Sequence, residues 1–182
     1  MPFTLKNSDK NEMITILSTW EQSFSQKTKD PSKRAMIQKA LSIARQMNET
    51  LARQTHAHLW IAKHAENDAP MAMMIVDDTD HKEKTIRFLL SNQKNPEARG
   101  SGRFLVEKLT QQAALTGVKI KTTSENADKF WRQCSGFSPS PDNSGDYVCD
   151  PSPTKEVAGL GSASFFQGGQ NASGSKLRKP RR

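Results

Sequence analysis

Asn95-Pro96-Glu97-Ala98-Arg99-Gly100-Ser101-Gly102-Arg103 decides the reading of this chain, because it joins a strand-like run to a helix-like one through a glycine-rich turn. Before it, Ile86, Phe88 and Leu90 are apolar at alternate positions, with Arg87 between the first two. That period of two predicts a strand from Lys84 to Asn92 burying one face. After it, Phe104, Leu105, Leu109 and Ala113 recur at helical spacing, Glu107, Lys108, Gln111 and Gln112 face away, and Gly117 stops the run. Gly100 and Gly102 permit backbone angles closed to other residues and let an anion approach without side-chain clash. The first turn of the helix adds unpaired N–H groups and a positive dipole end, and Arg99 and Arg103 bring charge to the same spot. The turn is a candidate phosphate cradle. Glycine pairs also serve turn geometry alone, so the flanking sequence has to decide.

Downstream, Val118-Lys119-Ile120-Lys121-Thr122-Thr123 alternates β-branched and polar residues as an amphipathic strand does, and Glu125 to Phe137 reads as a short helix ending at Gly136. Upstream, Met13, Ile16, Leu17, Trp20 and Phe24 stripe a helix over 12–25. Pro31 and Ser32 open a second helix, with Met36, Ile37, Ala40, Leu41, Ala44, Met47 and Leu51 on one face. His58 to Lys63 and Met71 to Val76 then read as strands separated by the turn-rich Glu66-Asn67-Asp68-Ala69-Pro70. The methionines are expected in the core. Asp77, Asp78 and Asp80 are read as a solvated turn closing the second of these strands.

With that order of elements, the chain resembles the GCN5-related N-acetyltransferase (GNAT) superfamily. The family's acetyl-coenzyme A loop runs Arg or Gln, two residues, Gly, one residue, Gly or Ala. Arg99-Gly100-Ser101-Gly102-Arg103-Phe104 follows it up to the last position, where Phe104 stands for Gly or Ala, and Pro96 lies three residues before the arginine. Asn126, Ala127, Phe130, Trp131, Gly136 and Phe137 look like the family's Asn-Ala, Phe-Tyr, Gly-Phe segment, with one residue too many before the glycine. The resemblance implies an α+β (α/β/α) fold: a mixed, mostly antiparallel twisted sheet flanked by helices, its fourth and fifth strands splayed for the pantetheine arm, its first strand within 2–7. It implies that Gln93, Lys94 and Asn95 line the acyl group through their backbone. The N–H groups of Arg99, Gly100, Ser101, Gly102, Arg103 and Phe104 would hold the pyrophosphate, and Asn126 and Phe130 would flank the pantetheine. Acetyl-coenzyme A would be the co-substrate and an amine-bearing small molecule or protein the acceptor, in a groove built from the N-terminal helices and the last hairpin.

The catalytic residues are not identified from sequence. The tyrosine that protonates the departing thiolate in many relatives aligns with Trp131 or Arg132, and Tyr147, the only tyrosine, is read as a packing residue in a terminal strand. Ser135 and Cys134 have no identifiable partner. No acidic residue lies within 84–92 to act as a base, and His56, His58, His64 and His81 show no metal-binding spacing.

With 182 residues and 34% hydrophobic content, the chain suits one domain over 1–150 and a tail over 151–182. Without an apolar run long enough for a membrane span, and with only two cysteines, it is expected to be a cytoplasmic protein with reduced thiols; a bacterial protein delivered into another cell is the alternative. The tail, rich in Gly, Ser, Pro and Gln, is expected to be disordered. Six cations against Glu156 give it +5 of the formal +8, so the body is only about +3. Its end, Lys176 to Arg182, suits weak polyanion contact. Three functions follow: an acetyl-coenzyme A-dependent N-acetyltransferase; a domain of that fold without catalysis that binds coenzyme A or a partner protein; or a nucleic-acid-binding protein acting through its tail, which lacks the interleaved aromatics that stack on bases.

Overall fold

The computed structural model of the chain describes residues 2–28, 30–53, 57–123, 127–142 and 144–151. His56, Glu125, Asn126 and the tail from Ser152 on lie outside them. Strand β1 (Phe3–Asn7) leads into two helices, α1 (Lys10–Ser25) and α2 (Pro31–Arg53). Strands β2 (His58–His64), β3 (Pro70–Asp80) and β4 (Glu83–Ser91) follow as a meander, then a 3-10 turn (Pro96–Ala98) and α3 (Ser101–Thr116). Strand β5 (Lys119–Thr123), the short α4 (Asp128–Trp131) and the hairpin β6 (Phe137–Pro139) and β7 (Asp146–Cys149) complete the chain. The seven strands form one sheet in the order β1-β2-β3-β4-β5-β7-β6, antiparallel except for the pair β4–β5. The mixed, mostly antiparallel sheet flanked by helices expected from sequence is therefore present.

The sheet is buried on both faces. Met13, Leu17, Trp20 and Phe24 of α1 and Ile37, Ala44 and Met47 of α2 pack with Ile61, Met73, Ile75 and Leu90 on one face. Leu105, Val106, Leu109 and Ala113 of α3 pack with Ala72, Met74, Val76, Ile86 and Ile120 on the other. Strand β3 lies between β2 and β4 with helices over both faces, which is why Met71 to Val76 is an unbroken apolar run, each residue at most 1% exposed. Burying six such side chains contributes on the order of 10 kcal/mol of gross hydrophobic stabilisation.

Three expectations are corrected. Asp77, Asp78 and Asp80 are inside β3, which runs on to pair Asp80 with Glu83, so the turn is at His81 and Lys82. Cross-strand pairing outweighs the weak strand propensity of aspartate there. The helix expected over 125–137 is only Asp128–Trp131; Gln133, Cys134 and Phe137 then donate to carbonyls three residues back, a string of turns that folds Phe137 onto Trp131 at 5.3 Å. Finally, Ile86, Phe88 and Leu90 do not share a face. Val76 pairs with Ile86 and Ile75 with Phe88, so Arg87 is the extra residue of a β-bulge. Ile86 consequently joins the α3 side, while Phe88 and Leu90 join the α1/α2 side.

Candidate functional site

The parallel pairing of β4 and β5 covers only Glu83–Lys119 to Ile86–Thr122. From the bulge at Arg87 onward, β4 stays paired with β3 and has no ladder partner on its β5 edge among the described residues. β5 ends one residue later, at Thr123. The two strands therefore part as a splay. A cleft of about 580 Å³ occupies it. Its wall includes Ile86, Leu89 and Trp131, which belong to the α3 side of the sheet, and Phe88 and Ile43, which belong to the α1/α2 side. The cleft thus passes through the sheet.

The glycine turn adjoins this opening. Gly100 caps α3 at φ +88°, the left-handed region that favours glycine, and makes no side-chain cap. The first intrahelical bond is from the Phe104 N–H to the Gly100 carbonyl at 3.0 Å. The N–H groups of Ser101, Gly102 and Arg103 precede it and have no helical acceptor. Gly102 has a different role: a Cβ there would lie 3.0 Å from Ser91 Oγ and 3.7 Å from a Leu89 methyl. Its lack of a side chain brings the helix start against the splayed half of β4. The Ser101 hydroxyl, fully buried, donates to the Ala98 carbonyl at 2.6 Å and lies 3.2 Å from the Met71 carbonyl, tying the turn to β3.

Placed one by one, the residues anticipated as a cofactor site divide. Arg99, Gly100, Ser101, Gly102 and Arg103 come together at the start of α3; Arg99 and Arg103 are exposed, with Arg103 Nε on Glu107 at 3.1 Å. Phe104 leaves the set, since its N–H is bonded to Gly100 and its ring is buried against Phe3, 5.9 Å between centroids. The ring points into the core, so the aromatic at the motif's last position does not block the turn. Gln93, Lys94 and Asn95 lie past the end of β4. The Lys94 and Asn95 N–H groups bond to Asn92, and the Lys94 ammonium reaches the Ser23 and Gln26 carbonyls at the end of α1. The backbone edge that faces the splay belongs to 87–91. Phe130 is half-buried, edge-on to Trp131 at 4.9 Å.

No Asp, Glu or His is among the described residues lining the cleft. The carboxylates beside it are already engaged. Asp77 accepts from the Thr79 hydroxyl and N–H and from Arg87 Nη2 at 2.9 Å, which hold its pKa at about 2. Asp146 is lowered by Lys121, 3.0 Å away. Trp131, one of the two positions where the resemblance wants a tyrosine, is a buried indole among the residues lining the cleft, and Arg132, the other, bonds to Tyr147. Tyr147 is buried opposite Thr122, its hydroxyl accepting from Arg132 Nε at 3.1 Å. Burial raises the Cys134 thiol to about 11 and also raises Cys149, so neither is a ready nucleophile. No group of three or more metal-ligating side chains occurs among the described residues. No helix among them is long and apolar enough to cross a membrane.

The resemblance puts the N-terminal helices on the acceptor groove, but no residue of α2 is named from sequence as lining it. Lys39, Ile43, Gln46 and Thr50 of α2 line it, at steps of four, three and four residues. The signal was present as a second stripe beside the core stripe, with Ile43 its one apolar member.

Among solved structures, the ribosomal-protein-S18-alanine N-acetyltransferase from Escherichia coli superposes with a TM-score of 0.52 at 14% identity, covering 82% of this chain and 94% of that one. Two others score lower. PaiA N-acetyltransferase from Thermoplasma acidophilum, in complex with coenzyme A, gives 0.49 at 10% identity over 81% and 97% of the two chains. Ard1 from Thermoplasma volcanium gives 0.48 at 12% over 81% and 95%. No family model and no curated protein matches the sequence.

Proposed function

We propose that this chain, which has the fold of the GNAT acetyltransferases, binds acetyl-coenzyme A at the start of α3 and transfers its acetyl group to an amine entering the cleft from the α2 side. The observation that carries the reading is the through-sheet cleft between the splayed half of β4 and β5, next to an uncapped helix start. The residues fit the ligand: Gly102 admits close approach of α3 to β4, the N–H groups of Ser101 to Arg103 point donors at an anion, and Arg99 and Arg103 flank them. Acetyl-coenzyme A would supply the acyl group as an activated thioester. The β4 edge from Arg87 to Ser91 offers backbone groups to orient it, and Trp131 and Leu89 exclude water from the passage.

No Asp, Glu or His is on the described wall, and in this reading the C–S bond of the thioester breaks as the C–N bond forms, the amine's proton passing through solvent to the departing thiolate. The acceptor reacts as the free amine, and rate comes from proximity and fixed dipoles. Test: purified protein, acetyl-coenzyme A and a panel of primary amines, with thiol release and product mass as readouts. Time-dependent thiol and an acetylated amine support transfer. Saturable binding with no thiol released from any amine would leave the second reading, a coenzyme A-binding domain without catalysis, which the indole at position 131 favours.

A further inference from the structure

Arg87 is the hinge of the splay and is also one of the residues that line the cleft. A bulge re-aims the side chain it carries, and this one is aimed and held. Nε and Nη2 both bond to Asp77 Oδ2, at 3.3 and 2.9 Å. Asp77 alternates along β3 with Met73 and Ile75, which pack on the α1/α2 face, so the pair lies on that side. Asp77 is itself fixed by the Thr79 N–H and hydroxyl, and its carboxylate stays ionised far below neutral pH. Its side chain is 14% exposed, whereas that of Arg87 is 50% exposed. The carboxylate therefore stands behind and the cation in front. Two of the five N–H donors of the guanidinium are directed at Asp77, and the planar fork can meet a second carboxylate with the others.

The rest of the described wall on this side is neutral or cationic: Thr85, Thr123, Ile43, Gln46, Thr50 and Lys39. The described side chains here other than Asp77, which Arg87 engages, give an ammonium no carboxylate to pair with, whereas Arg87 has donors left for an anion beside the acceptor's amine. We propose that the acceptor is a primary amine that also carries a carboxylate a few bonds from the nitrogen, an amino-acid-like compound rather than a polyamine, with Arg87 binding the carboxylate and Asp77 positioning Arg87. This inference rests on the acetyl-transfer reading of the cleft.

The test uses the full chain saturated with coenzyme A and three amines of equal chain length ending in carboxylate, hydroxyl or ammonium, each titrated by calorimetry. The carboxylate member is expected to bind about tenfold more tightly than the ammonium member. Arg87→Gln should bring the two within about threefold, and Arg87→Lys should restore part of the preference. A second variant, Thr85→Lys, adds a cation to the same wall without touching the Arg87–Asp77 pair and should widen the preference. Equal binding of all three, tighter binding of the ammonium member, or no binding of any would overturn the inference. So would an Arg87→Gln variant that weakens coenzyme A binding and leaves the amine preference unchanged. A titration of acetyl-coenzyme A alone separates the failures: if it does not bind, the acetyl-transfer reading falls; if it binds and the charge preference is absent, only the acceptor class falls.

Discussion

The two halves of β4 belong to one strand and have different surroundings. Glu83, Thr85 and Ile86 are paired on both edges, with β3 and with β5, while Phe88 to Ser91, beyond the bulged Arg87, are paired among the described residues only with β3. Both halves contain apolar side chains that pack in the core, so hydrophobicity does not separate them. The difference lies on either side of one bulged residue, with the β5 ladder reaching only to Ile86 among the described residues. A closed sheet half supplies rigidity, and an open half, held firm by its other neighbour, supplies a passage with backbone groups facing it. That combination suits a site that has to be preorganised without being filled by its own strands.

The contrast can be broken most strongly from the helix side. Reversing both flanking charges, Arg99→Glu with Arg103→Glu, should lower acetyl-coenzyme A affinity by about a hundredfold through loss of two charge-assisted contacts, with thermal stability nearly unchanged because both residues are exposed. The matching change in the closed half, Lys84→Glu, should leave affinity within about twofold; calorimetry on both variants checks the pair. Gly102→Val forces its side chain against Ser91 and Leu89 of the open half, and denaturant unfolding should show a loss of about 2 kcal/mol.

Asp77→Asn loosens the boundary between the halves and should cost on the order of 1 kcal/mol at neutral pH. The sign follows from its lowered pKa. A carboxyl held at about 2 in the fold contributes stability that is complete above the ordinary aspartate range and lost as pH falls through about 2. The gap between wild type and variant should therefore close in acid, which unfolding curves at pH 7 and below 3 would show. The smallest expected effect is on the pH profile: with no titratable base on the described wall, kcat/KM should rise with pH along the acceptor amine's own titration, and shift when an amine of different pKa is used.

Much of this fold is legible in local sequence, for local reasons. The helix over 101–116 announces itself by its stripe and by Gly117, which does cap it at φ +67°, and the methionine-rich run reads as core because a strand covered on both faces needs no polar alternation. The bulge is not legible. Ile86, Phe88 and Leu90 look like one face, and only their pairing with β3, a long-range property, moves Ile86 to the other. The glycine turn is half legible: Gly100 is there for its φ, as sequence suggests, whereas Gly102 is there for the approach of α3 to β4, which no local pattern encodes. Arg87 appears in the sequence as an ordinary polar residue on a strand, and its place on the cleft wall depends on the same bulge.

The most direct test of the account is an amide NMR titration of the full chain with acetyl-coenzyme A, reading the two halves of β4 against each other. The account predicts saturable shifts at Ser101 to Arg103 and at Arg87 to Ser91, with Glu83 to Ile86 nearly still. Shifts of equal size in both halves, or none at the start of α3, would contradict it.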